Sequence, residues 1–500
     1  MFRTVIKGVA KNTSIMMIQQ IVTWASTFVL MLFLPRYLGP IAYGRLFLAA
    51  SVSDIFRILV TYGGPSLVAK NVSRSRESTP QILVDAIGFR LVFTFLSLVG
   101  ILVFGYVGGY VEETRILMII FGLTLIWQGS QTSLFGGYQG HELIKFISIA
   151  SVTERIFVAA VGVTALLAGA DVIIIAIIIL AGSLVNFTAL AVFAKRIVPR
   201  IPRISLRGTI EQLKSGTPYF LFSGLSIIYY RIDSVMLSKM TPEGVVGWYG
   251  GAYRLFETLT FVPNILAVVV FPVLSRLWKE EEQTHKRTTN KGLEYIVIAA
   301  IPIAIGVILL SKNLVEMFYG LSGYSPSVGV LQVLTLGLLF LYVDIILGTT
   351  LLASDRQKSL SVISFCAIPL NIGLNLVLIP IFQEANGNGG IGAAIATGVT
   401  ELFVMIAYLY LMPPGILQDF RFSVLTKSAI SGVFMGGVIL LARSAGLPWV
   451  GQLALSPFVY FTALFLLNTL EGAENEYIKN LITSSPKALI EKISAVLRGK

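Results

Sequence analysis

Long apolar segments recur along the whole length of this 500-residue chain. A membrane-spanning helix needs about 20 apolar residues, because the hydrocarbon core of a bilayer is about 30 Å thick. The sequence contains about fourteen segments of this kind, and they lie near residues 12–34, 42–69, 82–108, 115–138, 144–168, 170–194, 215–238, 244–274, 291–311, 326–352, 359–380, 389–411, 425–444 and 449–470. The pattern predicts an all-α polytopic membrane protein.

The composition excludes a soluble enzyme. Charged residues make up 13% of the chain and apolar types 55%, whereas a soluble protein carries about 25% charged residues. One cysteine, Cys366, and two histidines are too few for a Cys/His metal centre. The sequence also lacks a GxxxxGK[ST] phosphate loop. We therefore expect no cofactor, no metal, no ATP and no nucleic-acid partner.

Lysines and arginines are concentrated in alternate connections between the predicted spans. This bias places those connections in the cytoplasm, and it accounts for the net charge of +12. We therefore predict a multi-pass plasma-membrane protein with an even number of spans and both termini cytoplasmic. Basic amphipathic stripes at both ends, the second within a tail over residues 472–500, are typical of helices lying on an anionic leaflet.

A short motif occurs twice at an offset of 203 residues. Gly44 matches Gly247, and the acidic Asp54 matches Glu257. Both copies begin at the outer mouth of an even-numbered span, as expected for parallel repeats. We predict a six-helix lobe over 1–200, a second six-helix lobe over 201–412, spans 13 and 14 within 413–471, and the cytoplasmic tail.

The motifs resemble a known family. Arg36-Tyr-Leu-Gly-Pro40-Ile-Ala-Tyr-Gly44, Tyr229-Tyr-Arg-Ile-Asp233 and Gly247-Trp-Tyr-Gly-Gly-Ala252-Tyr-Arg-Leu255 are similar to segments of lipid-linked oligosaccharide flippases of the MOP exporter superfamily, the Wzx-type polysaccharide exporters. The resemblance implies two helical bundles around a cationic central cavity that opens to either membrane face in turn. It also implies a sugar substrate linked to a polyprenyl phosphate or pyrophosphate.

Arginines at membrane depth are the first candidates for substrate contact. Charged side chains cost about 2.5–3.5 kcal/mol each at the centre of a membrane helix and usually have a function. Arginine binds phosphate oxygens with a planar fork of donors and keeps its charge when desolvated. We expect the cavity cations to be among Arg57, Arg90, Arg231 and Arg254.

Acidic and aromatic residues complete the candidate site. The acids Asp233, Glu257, Asp54, Asp344 and Glu401 are candidates for ion coupling or for charge pairing. Two pairs, Asp54 with Arg57 and Arg254 with Glu257, have the i,i+3 spacing that allows neutralisation within one helix. Arg231 and Asp233 point to different sides of their helix, so each needs its own partner. Tyr229 and Tyr253 are candidates for stacking on sugar rings, with the interfacial aromatic belt as the alternative.

The predicted function is a flippase that moves a lipid-linked oligosaccharide from the cytoplasmic to the outer leaflet by alternating access. Its expected partners are this substrate, membrane lipids and proteins of polysaccharide assembly. One alternative is a cation-coupled multidrug exporter of the same superfamily, which should have an acid-dominated cavity. A second alternative is a membrane polysaccharide polymerase or glycosyltransferase, which needs catalytic residues on outer loops that are all short here.

Overall fold

The computed structural model describes residues 2–469, so the predicted tail over 472–500 and the side chains of the N-terminal basic stripe lie outside the described part. Within residues 2–469 every regular element is helical. Besides a 3-10 turn at Arg76–Ser78, the helices are α1 Phe2–Val60, α2 Gly64–Arg74, α3 Thr79–Val107, α4 Glu112–Gly140, α5 Ile144–Leu167, α6 Val172–Ala194, α7 Leu206–Met240, α8 Glu243–Leu259, α9 Phe261–Glu280, α10 Glu282–Tyr319, α11 Leu321–Tyr324, α12 Ser327–Ala353, α13 Gln357–Asn386, α14 Gly389–Leu411, α15 Phe422–Ser444 and α16 Trp449–Leu466.

Helix α1 is broken at Gly39, which has φ 72° and ψ 170°. Glycine adopts a positive φ without the steric penalty of a Cβ atom. Pro40 reinforces the break, because a proline disfavours the helical conformation of the residue before it. The dipeptide therefore separates the two predicted spans, 12–34 and 42–69, within one long helix.

The described residues contain twelve helical stretches that are long and apolar enough to cross a membrane. One of them, Val22–Arg74, has 53 residues and would extend about 80 Å at 1.5 Å per residue. Such a stretch is long enough for two crossings, with the break at Gly39 between them. Helix α7 is not among the twelve. Fourteen spans remain a prediction, and the all-helical membrane fold is confirmed.

The first compact unit comprises Met1–Leu259, Leu314–Gly337 and Arg356–Tyr408. In this unit α1 packs along α8, α5, α7, α4 and α3, while α13 packs against α7. A buried aromatic core, which includes Tyr62, Phe89, Tyr138 and Phe146, joins helices α2 to α6.

The described part of the second compact unit comprises Thr260–Asn313, Leu338–Asp355 and residues 409–469. Here α15 packs against α16, and the buried Glu294 accepts a hydrogen bond from Arg421 Nε at 2.8 Å. Neither unit follows the boundaries of the predicted lobes, 1–200 and 201–412. The two-lobe division stays a prediction.

The two motif glycines of the internal repeat lie against each other in the first unit. A Cβ atom built on Gly44 would stand 2.7 Å from the backbone nitrogen of Gly247. One built on Gly247 would stand 1.9 Å from the carbonyl oxygen of Pro40. Helices α1 and α8 therefore touch through their backbones at this point, which only glycine allows.

Replacing Gly247 with alanine should separate α1 from α8 and destabilise the protein by about 1–3 kcal/mol, the usual cost of overpacking. The measurement is the apparent melting temperature of the purified protein in detergent. Gly373→Ala on α13 is the matched control, since its new Cβ would meet nothing within 4 Å. An equal melting temperature for Gly247→Ala and the wild type would contradict the close contact.

Candidate functional site

Five charged residues form a continuous ion-pair cluster in the first unit. Arg57 Nη2 lies 2.9 Å from Asp54 Oδ1, and Arg231 Nε lies 3.1 Å from Asp54 Oδ2. Arg231 Nη1 lies 3.2 Å from Glu257 Oε1, and Arg254 Nη1 lies 2.9 Å from Glu257 Oε2. The structure thus brings three of the four predicted arginines together with two of the predicted acids. We call these five residues the arginine cluster.

The internal repeat explains how the arginine cluster is assembled. Asp54 and Glu257 each lie ten residues beyond a motif glycine, Gly44 or Gly247, which is about 15 Å along a helix. Because those glycines touch, the two acids are presented from facing helices, α1 and α8. Arg231 reaches both acids from the third helix, α7.

The arginine cluster carries a net positive charge. Three arginines and two carboxylates leave a formal charge of +1, and each guanidinium has five N–H donors. The central Arg231 side chain is 19% exposed, whereas Arg57 and Arg254 are 40% and 37% exposed. The two outer guanidiniums can therefore contact an anion without breaking the central pairs.

Asp233 forms a separate and fully buried polar network. Its carboxylate accepts hydrogen bonds from Tyr249 Oη at 2.9 Å, Thr397 Oγ1 at 2.7 Å and Asn375 Nδ2 at 2.7 Å. Asn371 Oδ1 accepts a further bond from Asn375 Nδ2. The prediction that Arg231 and Asp233 have different partners is confirmed. Within residues 2–469, no arginine, lysine or histidine bonds to this carboxylate.

The structure places Arg90 in a buried hydrogen-bond network. Its side chain is 1% exposed and donates to Ser133 Oγ at 2.7 Å and to the carbonyl oxygens of Tyr62 and Gly64 at 2.9 and 3.3 Å. Tyr62 lies in the break between α1 and α2, and Gly64 is the first residue of α2. Arg90 thus joins α3 to α4 and to this break, and its contact with a substrate phosphate stays a prediction.

Tyr229 and Tyr253 lie inside the first unit. Both are buried, with 7% and 3% exposure. The Tyr229 hydroxyl donates to Glu401 Oε1 at 2.9 Å, and the Tyr253 ring stacks on Tyr249 with centroids 5.5 Å apart. Stacking of either ring on a sugar stays a prediction.

The two remaining acids, Glu401 and Asp344, are both buried. Glu401 is a buried residue of α14 and accepts the bond from Tyr229. Asp344 is a buried residue of α12 in the second unit. Their roles in ion coupling or charge pairing stay predictions.

An ion pair that the sequence reasoning missed lies next to the contact between the motif glycines. Arg45 pairs with Glu113 at the start of α4 and, through Nε at 3.1 Å, with Glu243 at the start of α8. The sequence feature that could have predicted these pairs is the presence of an acid, Glu113 or Glu243, at the beginning of each of two predicted spans. These two pairs link α1 to the first turns of α4 and α8.

Replacing Arg90 with alanine should lower the amount of folded protein and its melting temperature, because it removes the donor that the Ser133 hydroxyl and the Tyr62 and Gly64 carbonyls share inside the protein. An unsatisfied buried polar group costs about 1–3 kcal/mol. The measurement is membrane yield and melting temperature in detergent. Arg57→Ala, at an exposed position, is the control and should keep both values near those of the wild type. Full yield and stability in Arg90→Ala would contradict the structural role.

Two family models match the sequence. The polysaccharide biosynthesis protein model matches residues 9–278, and the lipid II flippase MurJ model matches residues 144–460. The chain is 22% identical over 415 residues to the probable low-salt glycan biosynthesis flippase Agl15 of Haloferax volcanii, covering 81% of this chain and 84% of the relative. It is 21% identical over 424 residues to the capsular polysaccharide biosynthesis protein CapF of Staphylococcus aureus, covering 80% and 98%.

Solved structures show the same fold. The lipid II flippase MurJ in an inward closed conformation superposes with a TM-score of 0.74 at 17% identity, covering 91% of this chain and 98% of that one. An inward-facing MATE-family multidrug resistance transporter of the MOP superfamily gives 0.61 at 14% identity, covering 81% and 97%. Since each family model matches more than half of the sequence, the chain belongs to the polysaccharide biosynthesis protein family and to the family of the lipid II flippase MurJ, which are transporters rather than enzymes.

Proposed function

We propose that this chain is a flippase for a lipid-linked glycan, and that the arginine cluster binds the phosphate that joins glycan to lipid. The proposal rests on the arginine cluster, which combines a net positive charge with two partly exposed guanidiniums at membrane depth. Moving an unpaired anion through hydrocarbon is prohibitive. A cationic site can replace the water that the phosphate loses.

The depth of the cluster suits this role. Asp54 lies 14 residues after Pro40, which is about 21 Å along α1 at 1.5 Å per residue. That distance falls well inside a hydrocarbon core about 30 Å thick. A phosphate bound there has left the headgroup region, while the lipid tail can remain in the bilayer.

The relatives support a glycan-linked substrate. Agl15 is described as a glycan biosynthesis flippase and CapF as a capsular polysaccharide biosynthesis protein. The finer features stay part of the proposal: a polyprenyl phosphate or pyrophosphate carrier, movement from the cytoplasmic to the outer leaflet, cytoplasmic termini and an association with polysaccharide-assembly proteins. The alternation of lysine and arginine between connections supports the orientation.

The multidrug-exporter alternative has less support. The chain is 25% identical over 195 residues to the probable multidrug resistance protein NorM of Bacillus subtilis. This alignment covers only 38% of this chain and 42% of NorM. A site that selects hydrophobic cations should be acid-dominated, because unlike charges attract. Here the arginines of the cluster outnumber its acids by three to two.

Replacing Arg57 and Arg254 together with glutamine should lower the transport rate at least about tenfold, since a hydrogen bond to a charged group contributes about 1.5–3 kcal/mol. The measurement is transfer of a lipid-linked oligosaccharide to the opposite leaflet of reconstituted vesicles. The corresponding lysine variant should be intermediate, because lysine keeps the charge but lacks the bidentate fork.

The matched control replaces Arg207 and Arg276 with glutamine. Both are exposed and pair with an acid four residues later, so the double change removes the same charge outside the site. Transport by this control should equal that of the wild type. Normal transport by the Arg57/Arg254 glutamine variant, at normal protein levels, would refute phosphate binding by the cluster.

We also propose that Asp233 is the seat of a coupling ion, a proton or a sodium ion. Buried carboxylates within membranes often serve this purpose. The described partners of Asp233 are neutral amide and hydroxyl groups, and Asn375 Oδ1 is buried without a hydrogen-bond partner. The carboxylate therefore has no fixed cation to compete with a mobile one. Oxygen donors of this type suit a small hard cation.

Asp233→Asn should remove the dependence of transport on an ion gradient, because asparagine keeps the size of the side chain but not its charge. The measurement compares flipping rates in vesicles with and without a proton or sodium gradient. Asp171→Asn at the exposed N-cap of α6 is the control and should remain gradient-dependent, since asparagine also caps helices. Wild-type rates that are equal with and without every gradient would refute coupling.

A further inference from the structure

A concave apolar groove runs along the outside of the first unit between α5 and α6. Its volume is about 490 Å³, and its lining includes Ile149 on α5 and Ala181, Val185, Thr188 and Phe193 on α6. The only hydroxyl of the lining, that of Thr188, donates to the carbonyl oxygen of Leu184 at 2.8 Å. The groove therefore offers no free polar group and suits a hydrocarbon chain.

Two cations lie at one end of the groove. Lys145 Nζ stands 4.9 Å from the centroid of the Phe146 ring, and Arg196 Cζ stands 4.8 Å from the same centroid. Phe146 contacts Phe193, a lining residue, with ring centroids 4.6 Å apart. The cations and the apolar lining thus share one pair of aromatic rings.

Neither cation is neutralised by a carboxylate within the described residues. The nearest acid in sequence, Glu142, is paired with Arg76 at 2.8 Å. Lys145 and Arg196 are both exposed and follow the cytoplasmic ends of α4 and α6 in the predicted topology. Basic pockets at this position between membrane helices are typical binding sites for anionic lipid headgroups.

The length of the groove matches one leaflet. From Ala181 to Phe193 the chain advances twelve residues, or about 18 Å along α6. One leaflet contributes about half of the 30 Å hydrocarbon core. An acyl chain whose headgroup lies beside Lys145 and Arg196 would fill the groove without crossing the midplane.

We propose that this groove holds a resident anionic phospholipid, with its phosphate beside Lys145 and Arg196 and one acyl chain between α5 and α6. The site is separate from the arginine cluster and does not depend on what the protein transports. The lipid would bridge the start of α5 and the end of α6.

The test is lipid binding to the purified full-length protein, measured by native mass spectrometry during titration with phosphatidylglycerol or phosphatidylcholine. The wild type should prefer phosphatidylglycerol. Lys145→Ala/Arg196→Ala should bind it about 30-fold more weakly and lose the preference, since each basic residue contributes about 1 kcal/mol near an anionic surface. Arg207→Ala/Arg276→Ala removes the same charge elsewhere and should bind normally.

A second variant tests the groove itself. Thr188→Phe, which fills its middle, should weaken binding of long-chain lipids and leave short-chain phosphatidylglycerol unaffected. Val161→Phe, on the exposed face of α5 outside the lining, is its control.

Equal binding of the two headgroups by the wild type, or a retained preference in the Lys145/Arg196 variant, would overturn the proposal. Tighter binding of a polyprenyl phosphate that displaces phosphatidylglycerol would also overturn it and assign the groove to the substrate. Because no readout involves transport, these results are distinguishable from a failure of the proposed flippase activity.

Discussion

Arg231 between Asp54 and Glu257 is the interaction on which the site depends. Two carboxylates facing each other at membrane depth would repel strongly in a medium of low dielectric constant, and a single guanidinium that reaches both removes the repulsion. The arrangement requires α1, α7 and α8 to converge at one level. The backbone contact between Gly44 and Gly247 fixes the distance between α1 and α8 at a second point. This point lies about 15 Å from the cluster along both helices.

Helix α7 connects this cluster to the buried network of Asp233. Arg231 and Asp233 are two residues apart, so their side chains leave the helix on different sides. On α8, Tyr249 bonds to Asp233 and stacks on Tyr253, which precedes Arg254. A change in the charge of Asp233 therefore acts on two helices that also carry cluster arginines. Helices α7 and α8 are therefore the physical link through which an ion bound at Asp233 could influence phosphate binding at the arginine cluster.

The sequence was sufficient for the features that depend on local chemistry. Hydropathy located the helices, the predicted spans 12–34 and 42–69 were separated at the break in α1, and the repeat identified Gly44 and Gly247. The spacing of Arg231 and Asp233 also predicted that they would have separate partners. Each of these follows from residues close together in the chain or from a direct comparison of two segments.

The direction in which a side chain leaves its helix, and hence its distant partner, could not be predicted in the same way. Hydropathy gives the depth of Arg90 but not the face of α3 from which it reaches Tyr62 and Gly64. Two of its acceptors are backbone carbonyls, which no side-chain pattern reveals. The partner of Tyr229 could not be predicted for a related reason, because Glu401 lies 172 residues away. The same holds for Asn375 and Thr397, neutral residues that become informative only beside Asp233.

The composition of the arginine cluster reconciles two opposing requirements. Three arginines without acids would be costly whenever the substrate is absent, because charges at this depth need compensation. Three acids would make the cluster neutral and remove the attraction for phosphate. With two acids the empty site is largely self-compensated, and the exposed outer guanidiniums of Arg57 and Arg254 still offer donors to an anion. The same acids compete with the phosphate for those donors, so binding is limited in strength and release on the far side remains possible.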